Sequence, residues 1–263
     1  MNPHRITRTA PLATRSAHRA CNPGARSKRT EIRNKRPERM RYYPVHLDIK
    51  NRNCLVVGGG SVGTRKVTTL LACGAKVAVV SPQANEELQK LARAGSITLK
   101  ERRFRAGDLD HMFLVIGATD DETLNRQISK DAENRNILCN IADRPAVCNF
   151  ILPSIVHRGD LVITISTSGK SPALAKKLRK TLEDQFGDEY AHFLTLMGNI
   201  RKKLLRQSHK PEAHKHLFNE LIDKGLLEMI RDGRKTDIDR LLSNILGKEF
   251  ECDSQTCSGK WKL

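Results

Sequence analysis

Aromatic residues are scarce in this 263-residue chain, with 7 Phe, 3 Tyr and 1 Trp making up 4%. No strand-like segment is rich in them, so the stacking surface on which proteins bind single-stranded nucleic acid is missing. Long apolar runs are missing too. A bilayer-spanning helix needs about 20 apolar residues in a row. The longest stretch here, around residues 112–118, has the length of a buried strand, so a membrane-spanning helix is excluded. No CxxC pair occurs among the seven cysteines, at positions 21, 54, 73, 139, 148, 252 and 257. Cys252 and Cys257 sit in a polar tail, too little for a zinc site. Cys54, Cys73 and Cys139 fall in apolar segments, where reduced thiols behave as small core residues. The reading is a reducing cytoplasm and no metal centre.

Negative charge is in short supply. Against 47 Lys+Arg stand 29 Asp+Glu, a formal net charge of +18. Residues 1–39 hold 11 basic and 2 acidic residues, so half of the excess lies in a segment almost without apolar periodicity. It reads as a basic disordered leader, since a transit peptide needs an apolar helical face. The remaining excess suits an acidic ligand as well as it suits nucleic acid.

What the chain does have is an alternating rhythm. Cys54–Val57, Val77–Val80, Ile97–Lys100, Phe113–Gly117 and Ile137–Ile141 read as strands. Val62–Cys73, Asn85–Ala94 and Glu122–Asn134 read as helices between them. That order predicts a doubly wound parallel sheet of Rossmann type. Beyond Asp143 two strands, Phe150–His157 and Leu161–Ser166, flank a turn at Arg158-Gly159-Asp160. A helix then starts at Ser171-Pro172, with Ser as N-cap. Residues 189–246 are helix-patterned throughout.

Gly58-Gly59-Gly60-Ser61-Val62-Gly63 fits G-x-G-x-x-G between a strand and a helix. Gly58 makes the turn, Gly60 admits a pyrophosphate, and Gly63 lets helix and strand pack closely. Ser81 ends the second strand, where an acidic residue commonly holds the ribose hydroxyls. No Arg follows directly, so the residues leave NAD and NADP open. Ser166-Thr167-Ser168-Gly169-Lys170-Ser171 contains GKS but lacks the earlier glycine of a P-loop. It is either an anion cradle or an ordinary N-cap with a solvated lysine. Asp143 stands beyond the fifth strand, where open α/β sheets bind ligands, although a turn aspartate is the plainer reading. Asp120-Asp121-Glu122 reads as helix capping, and His209, His214 and His216 as a solvated face.

Four ordered segments, YPVHLDIKNRNCLVVGGGSVGTRKVTTLLACGAKVAVVSP, GATDDETLN, CNIADRPAVCNFILPSI and STSGKSPALAKKLR, resemble the precorrin-2 dehydrogenase/sirohydrochlorin ferrochelatase family, the dehydrogenase–chelatase module of sirohaem synthase. The resemblance covers about residues 41–200. It implies NAD-dependent oxidation of precorrin-2 to sirohydrochlorin and, in many members, insertion of ferrous iron as a substrate to give sirohaem. The motifs do not separate members that insert iron from those that only dehydrogenate. It further implies a homodimer, an NAD site at Gly58, Gly60, Ser61, Val62, Gly63, Ser81, Pro82, Gln83 and Thr119, and a catalytic Asp143. Tetrapyrrole contacts are expected from Asn140, Ser166, Thr167, Ser168, Gly169 and Lys170, with Lys176 and Lys177 nearby. Thr167 stands where the fused enzyme has a regulatory phosphoserine. A fused methyltransferase domain is not expected. The organisation expected is a leader (1–39), an NAD-binding domain (40–149), a dimerisation region (150–187), a helical C-terminal domain (188–246) and a tail (247–263). The competing reading is a nucleotide-sensing regulator whose basic helices contact DNA. No helix-turn-helix signature in 189–246 favours it.

Overall fold

The computed structural model describes residues 41–206, 214–247 and 250. The leader, His209, Cys252 and Cys257 lie outside the described residues. Five strands, β1 (Asn53–Val57), β2 (Lys76–Val80), β3 (Ile97–Lys100), β4 (Leu114–Gly117) and β5 (Leu138–Ile141), form one parallel sheet in the order β3-β2-β1-β4-β5. Three helices cover it: α1 (Ser61–Ala72), α2 (Glu86–Arg93) and α3 (Glu122–Asn134). The strands read as continuous apolar runs because both faces are buried. Cys54 and Val56 pack with Val67 and Leu70 of α1 on one face. Leu55 and Val57 pack with Ile128 and Ala132 of α3 on the other. The chain runs from β1 to β2 on one side and returns to β4 on the other. The strand order therefore reverses between β1 and β4, and their carboxyl ends open a crevice there.

A two-stranded antiparallel sheet follows, β6 (Ser154–Arg158) and β7 (Leu161–Ile165), then α4 (Pro172–Gln185). The first strand is shorter than the sequence predicts. Pro153 has no N–H to give a ladder, and Phe150 packs instead against the core of the parallel sheet. Helices α5 (Glu189–Arg206), α6 (His214–Asp223), α7 (Leu226–Arg231) and α8 (Lys235–Leu246) share a separate core around Met197, Leu221, Leu226 and Leu242. Phe250, within the expected tail, is buried in it.

Two further expectations change. Cys73 is exposed, because it falls at the C-cap of α1 rather than inside it; Cys54 and Cys139 are buried as expected. His214 is buried at the start of α6, not on a solvated face, whereas His216 is exposed beside Glu220. Among the described residues no helix is long and apolar enough to cross a membrane, and no cluster of three His, Cys, Asp or Glu is placed to hold a metal.

Candidate active site

The glycine loop fits its sequence roles. Gly58 has φ +123°, and a Cβ there would lie 2.2 Å from the Ala118 carbonyl oxygen. A Cβ on Gly63 would lie 2.2 Å from the Gly58 carbonyl oxygen, so α1 could not approach the loop. At Gly60 a Cβ would meet nothing within 4 Å; that side of the loop is open. Helices α2, α3 and α4 begin with a side-chain cap from Asn85, Asp121 and Ser171 respectively. Helix α1 does not: Gly60 gives no side-chain bond, and its first turn holds no acidic residue. Its leading N–H groups, from Ser61 and Val62, are left for an anion. Beside them a cleft of about 450 Å³ is lined by Gly58, Ser81, Pro82, Thr119 and Asp121. Open glycine, uncapped helix and cleft together fit a dinucleotide.

Gly59, Arg103 and Phe104 were not among the expected site residues. Gly59, a free position of the motif, is in close contact with the chain after β2: a Cβ there would lie 2.1 Å from the Gln83 carbonyl oxygen. That contact and the Ser81 hydroxyl, which donates to the same oxygen at 2.6 Å, fix the turn carrying Pro82 and Gln83. Arg103 and Phe104, after β3, line the cleft as well.

Asp143 follows β5 in a turn closed by Arg144 N–H donating to the Ile141 carbonyl at 3.2 Å. Its φ is +59°, a left-handed conformation that Asp tolerates better than most residues. A second set of bonds holds this turn. The Cys148 sulfur accepts from Ile141 N–H at 3.1 Å and donates towards the Arg144 carbonyl at 3.2 Å. Asn149 accepts from Cys139 N–H at 2.8 Å and donates to the Ile137 carbonyl at 2.9 Å, tying the segment to the free edge of β5. Asn140, expected at the substrate, is buried. Its amide donates to the Phe150 carbonyl at 3.1 Å, so it braces the same strap instead.

The Asp143 side chain is exposed, not half-buried as a general base at neutral pH would want. It is not electrostatically alone. Burial and the neighbouring Arg65 hold the half-buried Lys66 ammonium of α1 below the ordinary lysine range, and Asp143 partly offsets them. Lys66 therefore belongs to this end of the sheet, and nothing in the sequence pattern marked it.

The Ser166–Lys170 loop reaches the Asp143 turn: a Cβ on Gly169 would lie 3.8 Å from Cβ and Cγ of Pro145. Ser168 (φ +53°) and Gly169 (φ +79°) form a left-handed turn, and Ser168 N–H donates to Ser166 Oγ at 3.1 Å. Thr167 Oγ1 accepts from Ser171 N–H at 3.2 Å. Lys170, Lys176 and Lys177 are exposed.

Residues 45–154 match the family described as putative NAD(P)-binding, and residues 158–185 the central region of sirohaem biosynthesis proteins. A siroheme synthase of Nitrosococcus oceani is 35% identical over 211 residues, covering 80% of this chain and 45% of that one. One of Methylococcus capsulatus is 33% identical over 203 residues, covering 77% and 43%. The chain thus spans about half the length of these curated relatives. A solved structure named SirC, precorrin-2 dehydrogenase, superposes with a TM-score of 0.66 at 28% identity, covering 78% of this chain and 98% of its own. None of these relatives supports a DNA-contacting regulator. Sheet order, glycine loop, Asp143 turn and these matches agree: over residues 45–185 the chain is similar to the NAD(P)-binding and central regions of sirohaem biosynthesis proteins and to a precorrin-2 dehydrogenase.

Proposed function

We propose that this chain oxidises precorrin-2 to sirohydrochlorin, an oxidoreductase step, and then acts as a lyase inserting ferrous iron to give sirohaem. The observation that carries the reading is convergence. The uncapped glycine loop, the strapped Asp143 turn and the hydroxyl–lysine loop all lie at the carboxyl end of one sheet, with Gly169 against Pro145. NAD, when bound, accepts the hydride equivalent that leaves the macrocycle. The Ser61 and Val62 N–H groups at the uncapped start of α1 would hold its pyrophosphate, and Ser81, Pro82 and Thr119, which line the cleft, would border its adenosine. Asp143 takes the proton released with the hydride and, passing each proton on to solvent through its exposed carboxylate, later takes in turn the two pyrrole N–H protons that iron displaces. Lys170 and Lys66 hold the substrate's carboxylates by charge.

The proposal includes a homodimer in a reducing cytoplasm. Ile155, Val162, Leu174 and Leu178 are exposed large apolar residues on β6, β7 and α4, and α4 buries only Ala175 within one chain. A second copy covers that face; a monomer by sedimentation at micromolar concentration would remove this part. The free thiols of Cys54 and Cys139, both pushed up by burial, suit a reducing compartment.

The decisive experiment is anaerobic incubation with precorrin-2 and NAD, followed spectroscopically, and then with ferrous iron. Asp143→Asn keeps the shape and removes the base. It should lose at least a hundredfold in turnover while NAD affinity and melting temperature hold. Turnover within about tenfold of wild type, roughly 1.4 kcal/mol of barrier, would mean that Asp143 is no base.

A further inference from the structure

Arg102 and Arg103 are neighbours in sequence with opposite surroundings. The Arg102 guanidinium grips Asp108 with both arms, Nη1 to Oδ2 at 2.8 Å and Nη2 to Oδ1 at 2.6 Å. Asp108 is 3% exposed, and it also accepts from Lys100 Nζ at 3.3 Å and from Arg105 N–H at 2.9 Å. This lock fixes the segment between β3 and the 3₁₀ turn at Ala106–Leu109. Arg103 sits on that fixed segment and lines the cleft with Phe104, Ser81 and Pro82. Among the described residues its guanidinium has no hydrogen-bond or ion-pair partner. The register explains its place. Val80 pairs with Lys100, and Ser81 N–H donates to the Lys100 carbonyl at 3.2 Å, so the chain after β3 runs out beside the end of β2.

The end of β2 is where a dinucleotide fold reads the adenosine ribose. A carboxylate there binds the 2′- and 3′-hydroxyls and repels a 2′-phosphate. Here the position is Ser81, whose hydroxyl hydrogen is engaged by the Gln83 carbonyl. Among the described residues lining the cleft, Asp121 is the one carboxylate. It stands on the wall after β4, with Oδ1 accepting Leu124 N–H as the α3 cap. Arg103 is the one cation. A guanidinium fork without a partner, on a fixed backbone and with no carboxylate beside it, matches a phosphate dianion.

Resting on the cofactor site proposed above, we infer that Arg103 is a specificity-determining residue. It receives a phosphate on the adenosine ribose, so the cleft accepts NADP as well as NAD. The sequence could not mark it, because it comes 22 positions after Ser81 and not directly behind it.

Calorimetric titration of the full chain with NAD, NADP, 5′-AMP and 2′,5′-ADP tests this without turnover. NADP should bind within about tenfold of NAD, and 2′,5′-ADP more tightly than 5′-AMP, with the difference shrinking as salt rises. Arg103→Gln should lower the NADP:NAD affinity ratio about tenfold, and Arg103→Lys should recover part of it. Ser81→Asp should lower the same ratio by repulsion. NADP weaker than NAD by more than tenfold in the wild type, or an unchanged ratio in Arg103→Gln, overturns the inference. Failure of NAD itself to bind a natively melting protein overturns it together with the cofactor site.

Discussion

Four glycines in six residues do four different jobs, and side-chain probes separate them. At Gly60 a Cβ meets open space, so Gly60→Asp should fold with an unchanged melting temperature. Its carboxylate would face the pyrophosphate beside the uncapped start of α1, and NAD affinity should fall by tenfold or more in direct titration. At Gly59 the order reverses. A Cβ would lie 2.1 Å from the Gln83 oxygen and 2.8 Å from Ala84 Cα, both backbone atoms that cannot swing aside. Gly59→Ala should cost about 1–3 kcal/mol, the range for forcing extra atoms into a packed site, and thermal unfolding would show it. Wild-type melting in Gly59→Ala, or wild-type NAD affinity in Gly60→Asp, would contradict this division. Gly58, Gly60 and Gly63 were legible because their spacing is a property of the chain. Gly59 was not, since what presses on it comes from the turn after β2.

Elements repeat that contrast. The strands of the parallel sheet were legible within about a residue, because a strand buried on both faces is an uninterrupted apolar run. Helix α4 was legible from Ser171-Pro172, a cap and a first-turn proline adjacent in sequence. The strap over the edge of β5 was not. Cys148 and Asn149 look like ordinary loop residues until the sheet brings Ile137, Cys139 and Ile141 alongside them. Asn140 misled for the same reason: its partner, Phe150, is supplied by the strap. The 3₁₀ turn at Ala106–Leu109 was missed because a carboxylate held by residues 100, 102 and 105 builds it, not a periodicity. Its contribution has a pH signature. Hydrogen bonds from Arg102 hold the Asp108 carboxyl down at about 2, against an ordinary 3.8. Its folded-state value is depressed, so its stabilisation is present above 3.8 and disappears as pH falls towards 2. Linkage makes that about 2 kcal/mol at neutral pH. Asp108→Asn should therefore melt several degrees below wild type at pH 7, and the gap should close in acid. A gap that stays constant down to pH 2 would detach the carboxylate's charge from the turn's stability.

The whole molecule is basic, which suits the polycarboxylate substrate proposed for it. With a net charge of +18, its field reaches a substrate before any side chain touches it, over a screening length of about 10 Å at 0.1 M salt. The proposed tetrapyrrole substrate is multiply anionic, so kcat/KM should fall steadily with added salt. The value of kcat, set after binding, should hardly move. Half of the charge excess belongs to residues 1–39, which match none of the family segments. A protein starting at Met40 should keep its melting temperature and kcat, because the sheet, the strap and the loop at Ser166–Lys170 are built from residues beyond it. Its kcat/KM should depend less steeply on salt, since a smaller net charge gives a weaker field. The two readouts separate two roles for that segment. A shallower salt slope with unchanged kcat makes it a contributor of field alone. A large drop in melting temperature or kcat would contradict this account, and would make residues 1–39 part of what holds the body or the substrate.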